Sequence, residues 1–155
     1  MIKRNLINKQ LSFSNRYKFN ERVQEATRVL SKYPERIPVI CEKNEKCVDL
    51  NNIGKEKYLV FPDLTCGQFM YIIRRSLALP AEKAVFMMIN GIIPSNTDIM
   101  YELYEKHKDR DGFLYITYTS ENVFGFMYLN FDFDTWFHVL VLVMVCVLDR
   151  RIGKG

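Results

Sequence analysis

Apolar residues recur along this chain in two rhythms, one of helical period and one of strand period, and the switches between them mark its elements. In FNERVQEATRVLS, residues 19–31, Phe19, Val23, Ala26, Val29 and Leu30 fall on one helical stripe while Glu21, Arg22, Glu25 and Arg28 face elsewhere. Pro34 follows too soon for that helix to continue. IPVICEK at 37–43 and KYLVF at 57–61 are rich in Val, Ile, Tyr and Phe. They predict paired strands joined by a long polar connection through Asn51, Asn52 and Gly54.

Thr65 with Gln68 has the spacing of a capping box, and Phe69, Ile72, Ile73 and Leu77 then recur at helical intervals up to Pro80. This predicts a core helix. AVFMMI at 84–89 predicts a strand, closed by Asn90-Gly91, the dipeptide that best tolerates the positive φ angles of a tight hairpin turn. Ser95 and Asp98 predict a second helix cap, followed by Ile99, Met100, Leu103, Tyr104 and His107 on one face, with Gly112 as terminator. FLYITYT at 113–119 predicts the last strand. After residue 36 the order is strand, strand, helix, strand, helix, strand, an α+β arrangement in which a helix crosses a mixed sheet. That is a β-grasp order with helices in front.

Composition narrows this picture. A chain of 155 residues that is 48% apolar and 26% charged has the balance of one soluble domain. The net charge of +4 is uneven, for residues 1–22 hold Lys3, Arg4, Lys9, Arg16, Lys18 and Arg22 against the single acid Glu21. The plain expectation is a solvated helical arm; the alternative is a site for acidic partners such as tubulin, nucleic acid or anionic lipid. Cys41, Cys47, Cys66 and Cys146 match no metal spacing, and no secretory signal opens the chain, so a reducing, cytosolic compartment is expected. Cys41 and Cys66 fall in apolar segments that suit packing better than nucleophilic chemistry.

Four segments, RIPVICEK at 36–43, KYLV at 57–60, DLTCGQF at 63–69 and DGFLYITYTSENVFG at 111–125, resemble those of the autophagy-related protein eight family, which includes the GABA-receptor-associated protein and the microtubule-associated light chain. The similarity runs from about Tyr17 to Gly125 with at most a short insertion near residues 44–54. It implies a ubiquitin-like β-grasp with a mixed four-stranded sheet and two additional N-terminal helices, the domain covering 1–125 with its helical arm at about 1–32. It also implies a life cycle. A cysteine protease cuts between Gly125 and Phe126, an activating enzyme adenylates Gly125, and a conjugating enzyme joins it by an amide to phosphatidylethanolamine. A glycine carboxylate suits such handling because no side chain obstructs another enzyme's active site. No resident cofactor or metal is expected, only the covalent lipid.

The resemblance further implies a docking face for cargo receptors and adaptors that carry an aromatic residue, two arbitrary residues and an aliphatic one, laid as an added strand on a sheet edge. By motif match, the aromatic pocket comprises Glu25, Val29, Pro38, Ile40, Lys57, Leu59 and Phe113, and the aliphatic pocket comprises Val60, Phe61, Leu64, Phe69 and Ile72. Arg36 and Lys55, with Lys57, are rim cations that attract acids flanking such motifs. On residue type alone, Val60, Leu64, Phe69 and Ile72 equally suit a simple core, and Lys57 a solvated strand lysine. Phe61-Pro62 stands where the family has proline followed by a small residue, and Ser76 where it has a third consecutive base after Arg74 and Arg75.

Residues 126–155 lie beyond the family's terminal glycine, and the run from Trp136 to Leu148 is apolar except for His138. A helix over that run would cover about 20 Å at ~1.5 Å per residue, short of the roughly 30 Å hydrocarbon core of a bilayer. Three accounts stand open: a precursor extension removed on processing, a retained apolar element that docks on protein or membrane, and an artefact at the end of the coding sequence. Removal is the expectation. The protein would then be cytoplasmic, and on autophagosomal or other organelle membrane when lipidated.

Catalysis finds little support. His107 and His138 sit in no recognisable Cys-His or Ser-His-Asp arrangement, and the sequence has no P-loop, no GxGxxG and no zinc spacing. Asp109-x-Asp111-Gly112 resembles the start of a calcium loop, but the later ligands do not follow, and a helix end with a turn explains it better. Three functions therefore compete: a lipid-conjugated autophagy modifier, a non-conjugated interaction module with a membrane-holding tail, and a basic arm that binds tubulin or nucleic acid.

Overall fold

The computed structural model describes residues 11–80 and 82–121. Gly125, Phe126, the 126–155 tail, His138, Cys146, Lys3, Arg4 and Lys9 lie outside the described residues. The elements are α1 (Phe13–Arg16), α2 (Phe19–Lys32), β1 (Ile37–Lys43), β2 (Lys57–Val60), α3 (Cys66–Ser76), β3 (Val85–Met88), α4 (Met100–His107) and β4 (Leu114–Ser120). The sheet runs β2-β1-β4-β3, with β1 and β4 parallel at its centre and both outer pairings antiparallel.

Strand register sorts the side chains onto two faces. Ile40 lies opposite Tyr115, while Val39 and Cys41 lie opposite Leu114 and Ile116. Because successive residues point to opposite sides, Ile40 and Tyr115 share one face and the other four share the second. The first face is covered from the N-terminal helices: Phe13, Ala26, Ile40 and Phe113 form a buried cluster with Tyr115 against it. On the second face the ring of Phe69 from α3 meets Tyr58 edge-on at 5.5 Å.

Local signals account for several elements directly. Thr65 Oγ1 accepts from the Gln68 N–H at 3.2 Å and Gln68 Oε1 accepts from the Thr65 N–H at 2.9 Å, closing the capping box of α3. Ile89 and Ile92 exchange backbone hydrogen bonds at 2.8 and 2.9 Å. The turn between them has φ of 51° at Asn90 and 79° at Gly91, as a type I′ turn requires.

Three expectations need correction. β2 ends at Val60, so Phe61 belongs to the following turn, where its carbonyl accepts from the Leu64 N–H at 3.2 Å. Ser95 and Asp98 do not cap α4, whose N-cap is Ile99. Instead the Asp98 carboxylate accepts from the Ser95 N–H at 2.9 Å in a local turn. The free donors of α4's first turn go to remote carbonyls, Met100 N–H to Leu64 at 2.8 Å and Tyr101 N–H to Pro62 at 3.0 Å. Gly112 does not end α4 either, since the helix stops at His107 and Gly112 sits in the turn into β4 with φ of +90°. A Cβ there would lie 3.1 Å from the Cβ of Ala26, so glycine also lets α2 approach this turn.

The N-terminal arm is the largest departure from expectation. Phe13 is fully buried, with ring contacts to Tyr17 at 4.8 Å and Phe113 at 5.7 Å, and its N–H donates to Glu42 Oε1 at 2.7 Å. Arg16 pairs with Glu56 and lies 3.6 Å from Glu42 Oε1, while Arg22 pairs with the buried Asp111. Two of the arm's cations are therefore engaged by carboxylates of the fold, Arg16 at the surface and Arg22 largely buried. Burying a phenylalanine here contributes on the order of 3–5 kcal/mol. Phe13→Ala is expected to lower unfolding stability by about that amount, measured as a shift of the urea midpoint at unchanged slope.

Candidate docking site on the outer edge strand

β2 ends the sheet and pairs with β1 alone among the described residues. An edge strand leaves one row of backbone donors and acceptors open to another chain. Its register places Lys57 opposite Ile40 and Leu59 opposite Pro38, with Tyr58 opposite Val39 and Val60 opposite Ile37. Lys57 and Leu59 thus lie on the α2 face, and Tyr58 and Val60 on the α3 face.

The first expected pocket gathers on the α2 face. Pro38, Ile40 and Phe113 are buried and form its floor, whereas Val29 is half-buried and Leu59 is exposed. Lys57 Nζ reaches Glu25 Oε1 at 2.7 Å and Oε2 at 2.9 Å, linking β2 to α2 across the rim. The same ammonium stands 5.0 Å from the Phe13 ring centre and 5.3 Å from that of Tyr17. An ammonium held by both a carboxylate and two ring faces is an anchored group, not a solvated strand lysine.

The second expected pocket gathers on the α3 face and divides by depth. Val60 and Phe69 are buried, Leu64 is half-buried, and Phe61 and Ile72 are 53% and 42% exposed. The core account holds for Val60 and Phe69, whereas Phe61 and Ile72 present open apolar surface. Arg36 lies with its guanidinium carbon 3.1 Å above the Phe61 ring centre, and Lys55 Nζ lies 5.5 Å from the ring of Tyr58. Both rim cations accompany this face. Phe61, which departs from the family pattern, is covered on one side by Arg36.

Sequence reasoning missed the groups behind the first pocket. Asp111 accepts from the Phe113 N–H at 3.0 Å, from the Tyr115 hydroxyl at 2.6 Å and from Arg22, and its side chain is wholly buried. Asp111 is thus the anion of a buried network, and its partner Arg22 stands 89 positions away, where no local spacing could flag it.

The described cysteines are poorly placed as nucleophiles. Cys41, Cys47 and Cys66 are buried, and burial raises the Cys41 thiol far above its ordinary range and the Cys66 thiol to about 11. His107 is half-buried on α4. Among the described residues no group of three or more His, Cys, Asp or Glu could hold a metal ion, and no helix is long and apolar enough to cross a membrane.

A mixed four-stranded sheet with a parallel central pair, crossed by α3 and fronted by two N-terminal helices, defines a ubiquitin-like protein. Comparison with known proteins gives the family. The model for the autophagy protein Atg8 family, described as ubiquitin-like, matches residues 21–125. Autophagy-related protein 8 of Candida glabrata is 50% identical over 115 residues, covering 74% of this chain and 97% of the relative. That of Neurospora crassa is 50% identical over 123 residues, covering 79% and 96%. The crystal structure of Trypanosoma brucei ATG8 superposes with a TM-score of 0.68 at 36% identity, covering 73% of this chain and 97% of that one. The chain belongs to the Atg8 family and is an autophagy ubiquitin-like modifier.

The depth of each side chain separates surface from core by measurement. Phe61→Ala is expected to change stability by no more than about 1 kcal/mol, the scale of an exposed ring and its cation contact. Phe69→Ala should cost about 3–5 kcal/mol; chemical unfolding of both variants checks the difference.

Proposed function

We propose that this modifier is cut behind Gly125, joined through that carboxylate to phosphatidylethanolamine, and thereby brought to autophagosomal membranes, where its β2 edge recruits cargo receptors and adaptors. The enzymes required are a cysteine protease, an activating enzyme and a conjugating enzyme. The activating enzyme adenylates the Gly125 carboxylate and passes it as a thioester to the conjugating enzyme; the ethanolamine nitrogen then attacks the thioester carbonyl, the C–S bond breaks, the enzyme's thiol leaves and an amide remains.

The two-sided β2 edge supports this reading most directly. In an added strand, residues separated by an odd number of positions point to opposite faces. An aromatic residue and an aliphatic one three positions later would therefore meet opposite sides of β2. The first set of residues lies on the α2 face and the second on the α3 face, in keeping with that separation. Arg36 and Lys55 supply positive charge for flanking acids, which acts on encounter rate and selectivity more than on affinity. Tubulin binding by the basic arm draws less support, because Arg16 and Arg22 are engaged within the fold.

Expression of wild type and Gly125→Ala in a cell with an active autophagy pathway tests the conjugation step. Wild type is expected to yield a membrane-bound form whose mass ends at Gly125 plus the lipid, and the variant to yield neither trimming nor lipid. A lipidated variant would remove Gly125 as the attachment site. A wild-type chain that keeps its Gly155 end, and leaves the membrane only when 126–155 is deleted, would select a non-conjugated interaction module.

A further inference from the structure

We propose that Asp111 is a positioning residue for the docking edge, whose two carboxylate oxygens hold the α2 wall and the Phe113 floor of the aromatic-accepting side in register. The inference rests on the docking reading of β2 and adds a residue that makes no part of either pocket's lining.

The geometry assigns each oxygen a separate task. Oδ1 accepts from the backbone N–H of Phe113 at 3.0 Å and so fixes the entry into β4, where Phe113 contributes the pocket floor. Oδ2 accepts from Arg22 Nη1 and from the Tyr115 hydroxyl at 2.6 Å, and Arg22 Nη1 also donates to the Tyr115 oxygen at 2.7 Å. Arg22 lies on α2 at helical spacing from Glu25 and Val29, so its pairing sets the rotation and depth of the wall they form.

Three further observations fit this role. The Asp111 side chain is fully buried and that of Arg22 only 12% exposed, so the pair is shielded from solvent and geometrically constrained. Arg22 Nε is buried without a hydrogen-bond partner among the described residues, so the guanidinium meets its partners through Nη1 at the expense of its own full satisfaction. Gly112, at φ of +90°, brings the Asp111 turn against Ala26 of α2, where an added Cβ would lie 3.1 Å from the Ala26 Cβ, a tight approach. The second pocket is built from β2, the β2–α3 connection and α3, and none of its members bonds to Asp111, Arg22 or Tyr115.

Loosening this junction should therefore harm one pocket and spare the other. The test uses the full chain and three synthetic peptides: one with Trp and Leu in aromatic-x-x-aliphatic spacing, one with Trp replaced by Ala, and one with Leu replaced by Ala. For wild type, each replacement is expected to weaken binding about tenfold or more. For Asp111→Asn, the loss on replacing Trp should shrink to about threefold or less, while the loss on replacing Leu stays at its wild-type value. If Asp111→Asn does not fold, Tyr115→Phe removes one donor to Oδ2 and should show the same one-sided change at smaller size.

Equal sensitivity to Trp replacement in folded variant and wild type would overturn the proposal. So would an equal decline at both positions, which would mark a general loss of structure. Failure of wild type to bind the parent peptide would instead remove the docking reading itself.

Discussion

β1 and β4, the first and last strands among the described residues, run parallel at the centre of the sheet, so each is flanked by another strand on both edges. A parallel pair in that position needs cover on both faces. The burial of Val39, Ile40 and Cys41, three consecutive residues of β1, shows that both faces are covered. α3 lies over one face, while α2, with Phe13 wedged beneath it, supplies the other. The N-terminal helices are consequently half of the core's roof. Their ion pairs, Arg16 with Glu56 and Arg22 with Asp111, fasten that roof to the segments that lead into β2 and β4, far away in sequence.

Once both faces are covered, contact with a partner strand shifts to the edges. β2 is the edge with different surroundings above and below: the Glu25–Lys57 rim on one side, and exposed Phe61 and Ile72 on the other. In the docking role proposed above, the same helices that complete the core would furnish the two walls that distinguish an aromatic side chain from an aliphatic one. Ile40 and Phe113 belong to the core cluster on the α2 face, and in the proposed docking role they would also form the pocket floor.

Elements governed by neighbours in sequence were legible. The stripe of α2, the Thr65–Gln68 box and the Asn90-Gly91 turn each carry their cause within a few residues. Features governed by remote partners were not. α4 begins later than its Ser95 and Asp98 signals indicate, because carbonyls of Leu64 and Pro62 replace a side-chain cap. Arg22 looked like one more surface base, since its anion lies across the fold at Asp111. Phe13 has an aromatic companion at helical spacing in Tyr17, but Tyr17 and Phe19 stay exposed, so sequence alone did not mark Phe13 as the buried one of the three. For the docking site, the motif match supplied the residues but not their depth. Only the packed structure separates buried Phe69 from exposed Ile72, although both sit on α3, three positions apart.

If β2 accepts an added strand as proposed, the placement of the two residue sets on opposite faces makes recognition depend on the parity of spacing in the partner. Isothermal titration of the full chain with two peptides of equal composition, aromatic-x-x-aliphatic and aromatic-x-aliphatic, measures this directly. An added strand predicts that the shorter spacing binds at least about tenfold more weakly, because both side chains then point to one face. Equal affinities would contradict an added strand on β2 as the mode of recognition.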